Sequence, residues 1–282
     1  MQNIHAICVC GAGTMGSGIT QVAAQSGLKV IQYDVSDSML QRSKSAIEAS
    51  LSALVQKQKI TTEDATNVLK NIHYTSDIIT CKADVVIEAI IENQEAKTQL
   101  FRNLSNINKE HTIFATNTSS ISITAIANDE SFASRVVGMH FFNPAPLMKL
   151  VEVIKARQTD VTVVDSICLL AKKMNKVPVV CNDSPGFIVN RVARHYYLEA
   201  MKMVEAGEAD YTTIDAIMES SGFKMGPFKL MDLIGLDINY TVSDIVWNNL
   251  GKPERLKPSA LQKSKVEKGE LGKKSGRGFY EY

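Results

Sequence analysis

Ile7-Cys8-Val9-Cys10-Gly11-Ala12-Gly13-Thr14-Met15-Gly16 is the stretch on which the fold of this chain turns. Its apolar half reads as a strand, and a helical pattern opens directly after it. The glycines between them follow Gly-x-Gly-x-x-Gly, an order with a physical logic. Gly11 permits a tight turn, Gly13 lets a pyrophosphate approach the main chain, and Gly16 lets the helix pack closely on the strand. The amides of Thr14 and Met15, at the helix N-terminus, would meet the phosphate charge. A second strand pattern, Lys29-Val30-Ile31-Gln32-Tyr33, ends at Asp34, about 20 residues beyond the glycines, where a ribose-binding acid belongs. A carboxylate there accepts both ribose hydroxyls and repels a 2′-phosphate, so the combination favours NAD(H) over NADP(H). Taken singly, a glycine-rich turn can be only a turn, and Asp34 only a solvated strand end.

Working outward, strand-like runs cover Ile4 to Cys10, Lys29 to Tyr33, Asp84 to Ala89, Thr112 to Thr116, Val136 to His140 and Leu150 to Ile154. Helical patterns lie between the first five, at Thr14 to Ser26, Ser38 to Val55, Glu63 to Lys70 and Glu95 to Ile107. This alternation predicts βαβ units and a mostly parallel sheet. The last two strands instead flank a short proline-rich loop, which predicts antiparallel pairing at a sheet edge. From Pro185 onward long helical patterns take over, including Phe187 to Ala206 and Tyr211 to Ser220. Asp183-Ser184-Pro185 reads as cap residues followed by proline, a helix start. Gly251 to Pro258 reads as a loop before a final short helix. The expected fold is α/β: a Rossmann-type, doubly wound, mostly parallel sheet in residues 1–184, followed by an all-α C-terminal domain in 185–282.

At 282 residues the chain is long enough for two domains, each with its own core. Lys plus Arg number 31 against 30 for Asp plus Glu, so no overall electrostatic bias points to nucleic acid or an acidic membrane surface. The longest apolar runs are strand-length, too short to span a bilayer as a helix. Met1-Gln2-Asn3-Ile4-His5 leads straight into the first strand pattern without the features of a signal peptide. The cysteines number five, an odd count without metal-ligand spacing, and Cys8 and Cys10 share one face of the first strand. These features predict a reduced, cytoplasmic chain with neither a disulfide framework nor a metal site.

Lys149-Leu150-Val151-Glu152-Val153-Ile154 places one acid inside an apolar strand. A buried, unpartnered carboxylate is costly, so Glu152 needs a partner or an exposed face. His140 ends the preceding strand, and the stiff connection Phe141-Phe142-Asn143-Pro144-Ala145-Pro146 would fold the two strands back on each other. A histidine oriented by a carboxylate is a general acid/base unit, although the same spacing also fits a structural pair or two unrelated residues. His5, His73, His111 and His195 lack such a setting. Thr116-Asn117-Thr118-Ser119-Ser120 follows a strand at its C-terminal end, where α/β sheets bind ligands; its hydroxyls can equally cap the next helix. Asn190 has no privileged meaning by itself.

Together these residues resemble the L-3-hydroxyacyl-CoA dehydrogenase family along essentially the whole chain. The likeness is carried by Gly11 to Gly18, Ala115 to Ser120, His140-Phe141-Phe142-Asn143-Pro144, Lys149 to Val153, Ser184 to Arg191, and Lys274-Ser275-Gly276-Arg277-Gly278-Phe279-Tyr280. The resemblance implies hydride transfer between NAD(H) and C3 of a (S)-3-hydroxyacyl-CoA/3-oxoacyl-CoA pair, above all 3-hydroxybutyryl-CoA and acetoacetyl-CoA. It makes His140 the general base or acid, Glu152 its orienting partner, and Ser119 and Asn190 the groups that position the C3 oxygen. Asp34, Glu92, Lys97, Asn143 and Lys274 then belong to the nucleotide site. Lys59 corresponds to a lysine near the CoA phosphates, although Gln56 and Gln58 dilute the basic cluster there. The resemblance further implies a homodimer formed through the C-terminal helices. Two other readings differ in kind. A 3-hydroxyisobutyrate-type dehydrogenase would need a lysine in the helix that here runs Gly186-Phe187-Ile188-Val189-Asn190-Arg191. A non-catalytic NAD(H)-binding protein would have no need of His140, Glu152, Ser119 and Asn190 together.

Overall fold

Parallel strands covered on both faces have to be apolar throughout, and the central strands meet that demand. The computed structural model describes residues 4–128 and 131–282; the leading Met1-Gln2-Asn3 of the sequence reading lies outside them. The chain divides into two compact units, Met1–Asp183 and Ser184–Tyr282.

In the first unit the order is β1 (Ala6–Cys10), α1 (Thr14–Gln25), β2 (Lys29–Tyr33), α2 (Asp37–Gln56), α3 (Thr62–Lys70), β3 (Ile72–Thr75), β4 (Val85–Glu88), α4 (Gln94–Ser105), β5 (Ile113–Thr116), α5 (Ile123–Ile126), β6 (Val136–Phe141), β7 (Leu150–Lys155), α6 (Val161–Lys173) and β8 (Val177–Asn182). The eight strands form one sheet in the order β3-β2-β1-β4-β5-β6-β7-β8. Pairing is parallel except between β6 and β7; that antiparallel pair lies inside the sheet rather than at its edge, because β8 pairs with the far side of β7. Every residue of β4 and β5 is buried. Val9, Ile19, Val30, Ile47 and Leu51 join β1, α1, β2 and α2 in one apolar cluster, which continues through Val151, Val153, Ile167 and Leu170 at the other end of the sheet. The helix starts follow local chemistry. Ser36 caps α2 through the Met39 amide, Asn93 caps α4 through Ala96, and Thr61 with Asp64 forms a capping box on α3.

The strand–helix alternation read from sequence stops at Ile154, and the structure adds β3, α6 and β8. β3 is a short edge strand whose residues are all partly or fully exposed, so it lacks the apolar run that marks its neighbours. β8 contains Pro178, which argues against a strand in sequence but is tolerated at a sheet edge, where β8 lies. A further correction concerns Asp183-Ser184-Pro185. The first helix of the second unit begins at Val189, after a turn in which Phe187 has φ 48°. Asp183 instead serves α5: its Oδ2 accepts from Ser122 Oγ at 2.6 Å and from the Thr124 amide at 2.8 Å.

The second unit contains α7 (Val189–Glu205), α8 (Tyr211–Ser220), α9 (Pro227–Ile234), α10 (Leu236–Asn249) and α11 (Ala260–Glu267). Its core gathers Leu198, Met201, Phe228, Met231, Leu236 and Val246. Two fully buried carboxylates fasten the Gly278-Phe279-Tyr280 segment to it. Asp232 accepts from the Phe279 and Tyr280 amides, both at 2.9 Å, and Asp215 accepts from the Tyr280 hydroxyl at 2.8 Å. The Lys274–Tyr280 motif is thus a structural clip as well as a family mark.

The turn after β1 shows why its glycines are not interchangeable. Gly11 has φ +107°, and a Cβ on Gly16 would stand 1.9 Å from the Gly11 carbonyl oxygen, whereas one on Gly13 would meet nothing within 4 Å. Gly16→Ala is therefore expected to lower unfolding stability by at least about 1–3 kcal/mol, the usual cost of overpacking, and Gly13→Ala by less than about 1 kcal/mol. Denaturant unfolding of the two variants measures the difference; equal losses would contradict this account of the turn.

Candidate active site

The sheet order reverses between β1 and β4: the chain runs outward through β2 and β3, then returns to the other side of β1. Crevices at such switch points, outside the C-terminal strand ends, are where open α/β sheets bind ligands. The glycine turn follows β1 there. Helix α1 begins with Gly13 as its cap residue, without a side-chain cap and without an acid in its first turn. This leaves the positive end of the helix unneutralised by its own side chains. With the open space at Gly13, the turn fits a pyrophosphate. Asp34 follows β2 and holds the turn itself: its Oδ2 accepts the Ala12 amide at 2.7 Å and its Oδ1 the Ser36 amide at 2.9 Å. Two main-chain donors thus fix this carboxylate at the position where a ribose acid is expected.

The ends of β4 and β5 carry a second set of charges. Glu88, fully buried, accepts from Lys97 Nζ at 2.6 Å, from Thr116 Oγ1 at 2.6 Å and from the Ile90 amide at 2.7 Å. Burial pushes the Glu88 carboxyl above its ordinary range, against the pull of Lys97 and Thr116. Lys97 is 1% exposed and also reaches Glu92 Oε2 at 3.2 Å. Glu92 in turn accepts from the hydroxyls of Thr118 and Ser120 and from the Ser119 amide. Burial alone would raise the Glu92 carboxyl; the Lys97 charge and those hydroxyls outweigh it and hold it below the usual range. Lys97 is therefore an interior cation that braces Glu92, and Glu92 braces the loop bearing Ser119. The hydroxyls of Thr116, Thr118 and Ser120 donate to these carboxylates, while the cap of α5 falls to Ser122.

His140 and Glu152 stand directly opposite each other in the antiparallel β6–β7 pair. His140 Nδ1 lies 2.8 Å from Glu152 Oε2, with Glu152 fully buried and His140 6% exposed. Short distance and low exposure make this a strong, orienting hydrogen bond. That contact engages Nδ1 of the ring and ties β6 to β7 through their side chains as well as their main chains. Phe142 packs on the imidazole with ring centroids 4.5 Å apart. The Phe141 amide donates to Asn117 Oδ1 at 2.8 Å, fastening the strand that carries His140 to the loop that carries Ser119.

Gly11, Gly13, Thr14, Met15, Gly16, Asp34, Glu92, Lys97, Ser119, His140, Asn143 and Glu152 all lie in the first unit, at or just beyond the C-terminal ends of β1, β2, β4, β5 and β6 or on the strand pairing with β6. Asn143 is exposed at the start of the β6–β7 loop, and Lys59 is exposed just after α2. Asn190 and Lys274 belong to the second unit. Asn190 is in the first turn of α7, and Lys274 forms a 2.6 Å ion pair with Asp237. The sequence reading missed Glu88 and Asn117. Glu88 carries the same signal as Glu152, one acid in the apolar run Val85-Val86-Ile87-Glu88, whereas nothing in sequence distinguishes Asn117 from its hydroxyl-bearing neighbours.

The glycine turn, the acid after β2 and the β6–β7 hairpin thus share one sheet. Comparison with known proteins gives the family. The profile described as 3-hydroxyacyl-CoA dehydrogenase, NAD binding domain, matches residues 6–184, and that of the 3-hydroxyacyl-CoA dehydrogenase C-terminal domain matches 186–282; the chain belongs to this family. It is 45% identical over 284 residues to the 3-hydroxyadipyl-CoA dehydrogenase of Escherichia coli K12, a match covering 100% of this chain and 60% of that longer protein. It is 44% identical over 276 residues to the probable 3-hydroxybutyryl-CoA dehydrogenase of Deinococcus radiodurans, covering 97% of this chain and 99% of the relative. The crystal structure of (S)-3-hydroxybutyryl-CoA dehydrogenase from Ralstonia eutropha superposes with a TM-score of 0.95 at 38% identity, covering 99% of both chains.

Removing one partner of a buried ion pair strands the other. Lys97→Met is expected to cost about 3–5 kcal/mol of unfolding stability, and adding Glu88→Gln should return part of that loss. Denaturant unfolding of the single and double variants checks both statements.

Proposed function

We propose that this protein is an NAD(H)-dependent dehydrogenase that interconverts (S)-3-hydroxyacyl-CoA and 3-oxoacyl-CoA, with 3-hydroxybutyryl-CoA and acetoacetyl-CoA as its substrate pair. The observation that carries the reading is the buried 2.8 Å His140–Glu152 bond on the sheet that bears the glycine turn. In oxidation, His140 Nε2 takes the proton of the C3 hydroxyl as the C3 hydride departs; in reduction the protonated imidazole returns it to the developing alkoxide. NAD, when bound, supplies the hydride acceptor or donor. Glu152 balances the charge that His140 gains and fixes the ring in one tautomer. Ser119 and Asn190 hold the C3 oxygen, and Asp34 takes the ribose hydroxyls with Gly11, Gly13, Thr14, Met15 and Gly16 around the pyrophosphate. Glu92, braced by Lys97, together with Asn143 and Lys274, completes the nucleotide site. Lys59 would meet the CoA phosphates.

The relatives named above support an acyl-CoA substrate, and the nearly full-length match to the Deinococcus protein supports the four-carbon one. Free cysteines at all five positions fit a reducing cytoplasm. In the second unit Leu233 is 53% exposed and Ile238 51%, an apolar surface that supports a homodimer with an isologous interface. Sedimentation at micromolar concentration should give a dimer; a monomer alone would remove that part of the reading.

Reduction of acetoacetyl-CoA, followed by loss of NADH absorbance and repeated with NADPH and longer 3-oxoacyl chains, tests the whole. NADH should be strongly preferred. NADH binding without turnover of any of these substrates would overturn the reading. Glu152→Gln is expected to lower kcat by a factor on the order of 10²–10⁴ with NADH affinity nearly unchanged. A folded Glu152→Gln variant with the parental kcat would make the pair structural.

A further inference from the structure

The loop Phe142–Lys149 joins the strand of His140 to the strand of Glu152, and its placement has two visible supports. On one side it packs against the nucleotide helix: a Cβ on Gly18 of α1 would come within 3.0 Å of Ala145 Cβ and 3.3 Å of Pro146 Cδ, and Ala145 is 3% exposed. The second support is Lys176, in the turn between α6 and β8. Lys176 is 6% exposed, and its Nζ donates to the Ala145 carbonyl at 2.5 Å and the Met148 carbonyl at 2.8 Å. Two main-chain carbonyls, rather than a carboxylate, accept these protons.

An ammonium buried against carbonyls is an expensive way to hold a loop. Burial, reinforced by the nearby Lys149 charge, pulls Lys176 below the usual lysine range. What the lysine supplies is a shared donor for the Ala145 and Met148 carbonyls, in a loop whose Pro144 carbonyl already takes the Leu147 and Met148 amides. Its own position is set independently: its amide donates to the Ala171 carbonyl at 2.9 Å, and Asn175 before it takes φ 56°.

We propose that Lys176 is a positioning residue for the cofactor: its ammonium clamps the β6–β7 loop onto α1 and so fixes where Asn143 stands relative to His140 and the glycine turn. This rests on the reading of the chain as an NAD(H)-dependent dehydrogenase. The bonds Lys176 Nζ makes are to main-chain carbonyls of the loop. Its loss acts on the loop, and through the loop on cofactor affinity.

The test compares K176M and K176R with the parent, measuring thermal stability, NADH Kd by nicotinamide fluorescence, and steady-state kinetics with NADH and acetoacetyl-CoA. In K176M the Kd and KM for NADH should rise by about 10- to 100-fold, the scale set by leaving buried carbonyls without their donor, while kcat falls by a smaller factor. K176R retains charge and donors and should recover most of the loss in NADH affinity. A folded K176M with parental Kd and KM, whose only defects are lower thermal stability and a kcat scaled by the folded fraction, would overturn the proposal. Should K176M fail to fold, G18A decides: it pushes the same loop from the opposite side with the charge intact, and an unchanged NADH Kd would count against the clamp. Because Kd is read without substrate, a parent that binds NADH but reduces no acetoacetyl-CoA would retire the dehydrogenase reading while the effect of K176M on binding still judges Lys176.

Discussion

Carboxylates within apolar strands or at their ends persist only where donors converge on them, and this requirement organises the first unit. Asp34, Glu88 and Glu152 belong to β2, β4 and β7 or the residue just beyond, and each is satisfied by a different element. Asp34 takes amides from the glycine turn and its own loop. Glu88 takes a cation from α4 and a hydroxyl from β5. Glu152 takes an imidazole from β6. Each acid joins neighbouring segments, and the loops that join the strands of the sheet become a connected rim. Glu88 and Glu152 are fully buried and Asp34 half-buried, so loosening either of the links at Glu88 and Glu152 would strand a buried charge.

Two buried pairs anchor that rim. Glu88 and Lys97 are both almost completely inside, so their work is to hold Glu92 and, through it, the Ser119 loop. His140 is nearly as buried, and its bond to Glu152 holds the imidazole in place between β6 and β7. Asn117 connects the two halves, since its side chain receives the amide next to His140 while its neighbours donate to Glu88 and Glu92.

Much of this was legible in the residues. The glycine turn announced itself because its neighbours were unambiguous: an apolar strand before, a helical pattern after, an acid at the end of the next strand. The closeness of His140 and Glu152 could be anticipated from one acid in an apolar run and a short, stiff connection, although spacing alone left a pair of unrelated residues open. Where the reading failed, the cause was tertiary. Lys176 lies in Lys172-Lys173-Met174-Asn175-Lys176 and looks like any surface lysine until the turn buries it. Asp183 looks like a cap for the helix that follows, but Ser122 and Thr124, about 60 positions earlier, claim it. β3 is too short and too exposed for periodicity to mark.

Pro178 also limits how far the sheet can extend. In β8 the Val177 amide donates to Lys149 and the Asp183 amide, just past the strand end, to Lys155, so odd-numbered residues point their amides toward β7. The even-numbered ones face the open side, where Pro178 has a ring carbon in place of a proton. Val177, Val179 and Val180 on this strand are exposed, and an uninterrupted row of donors beside them would invite strands from other molecules. The missing proton breaks that row near its start. Proline at this position therefore guards the colloidal behaviour of the protein: it lets an apolar margin stay open to water without seeding ordered aggregates.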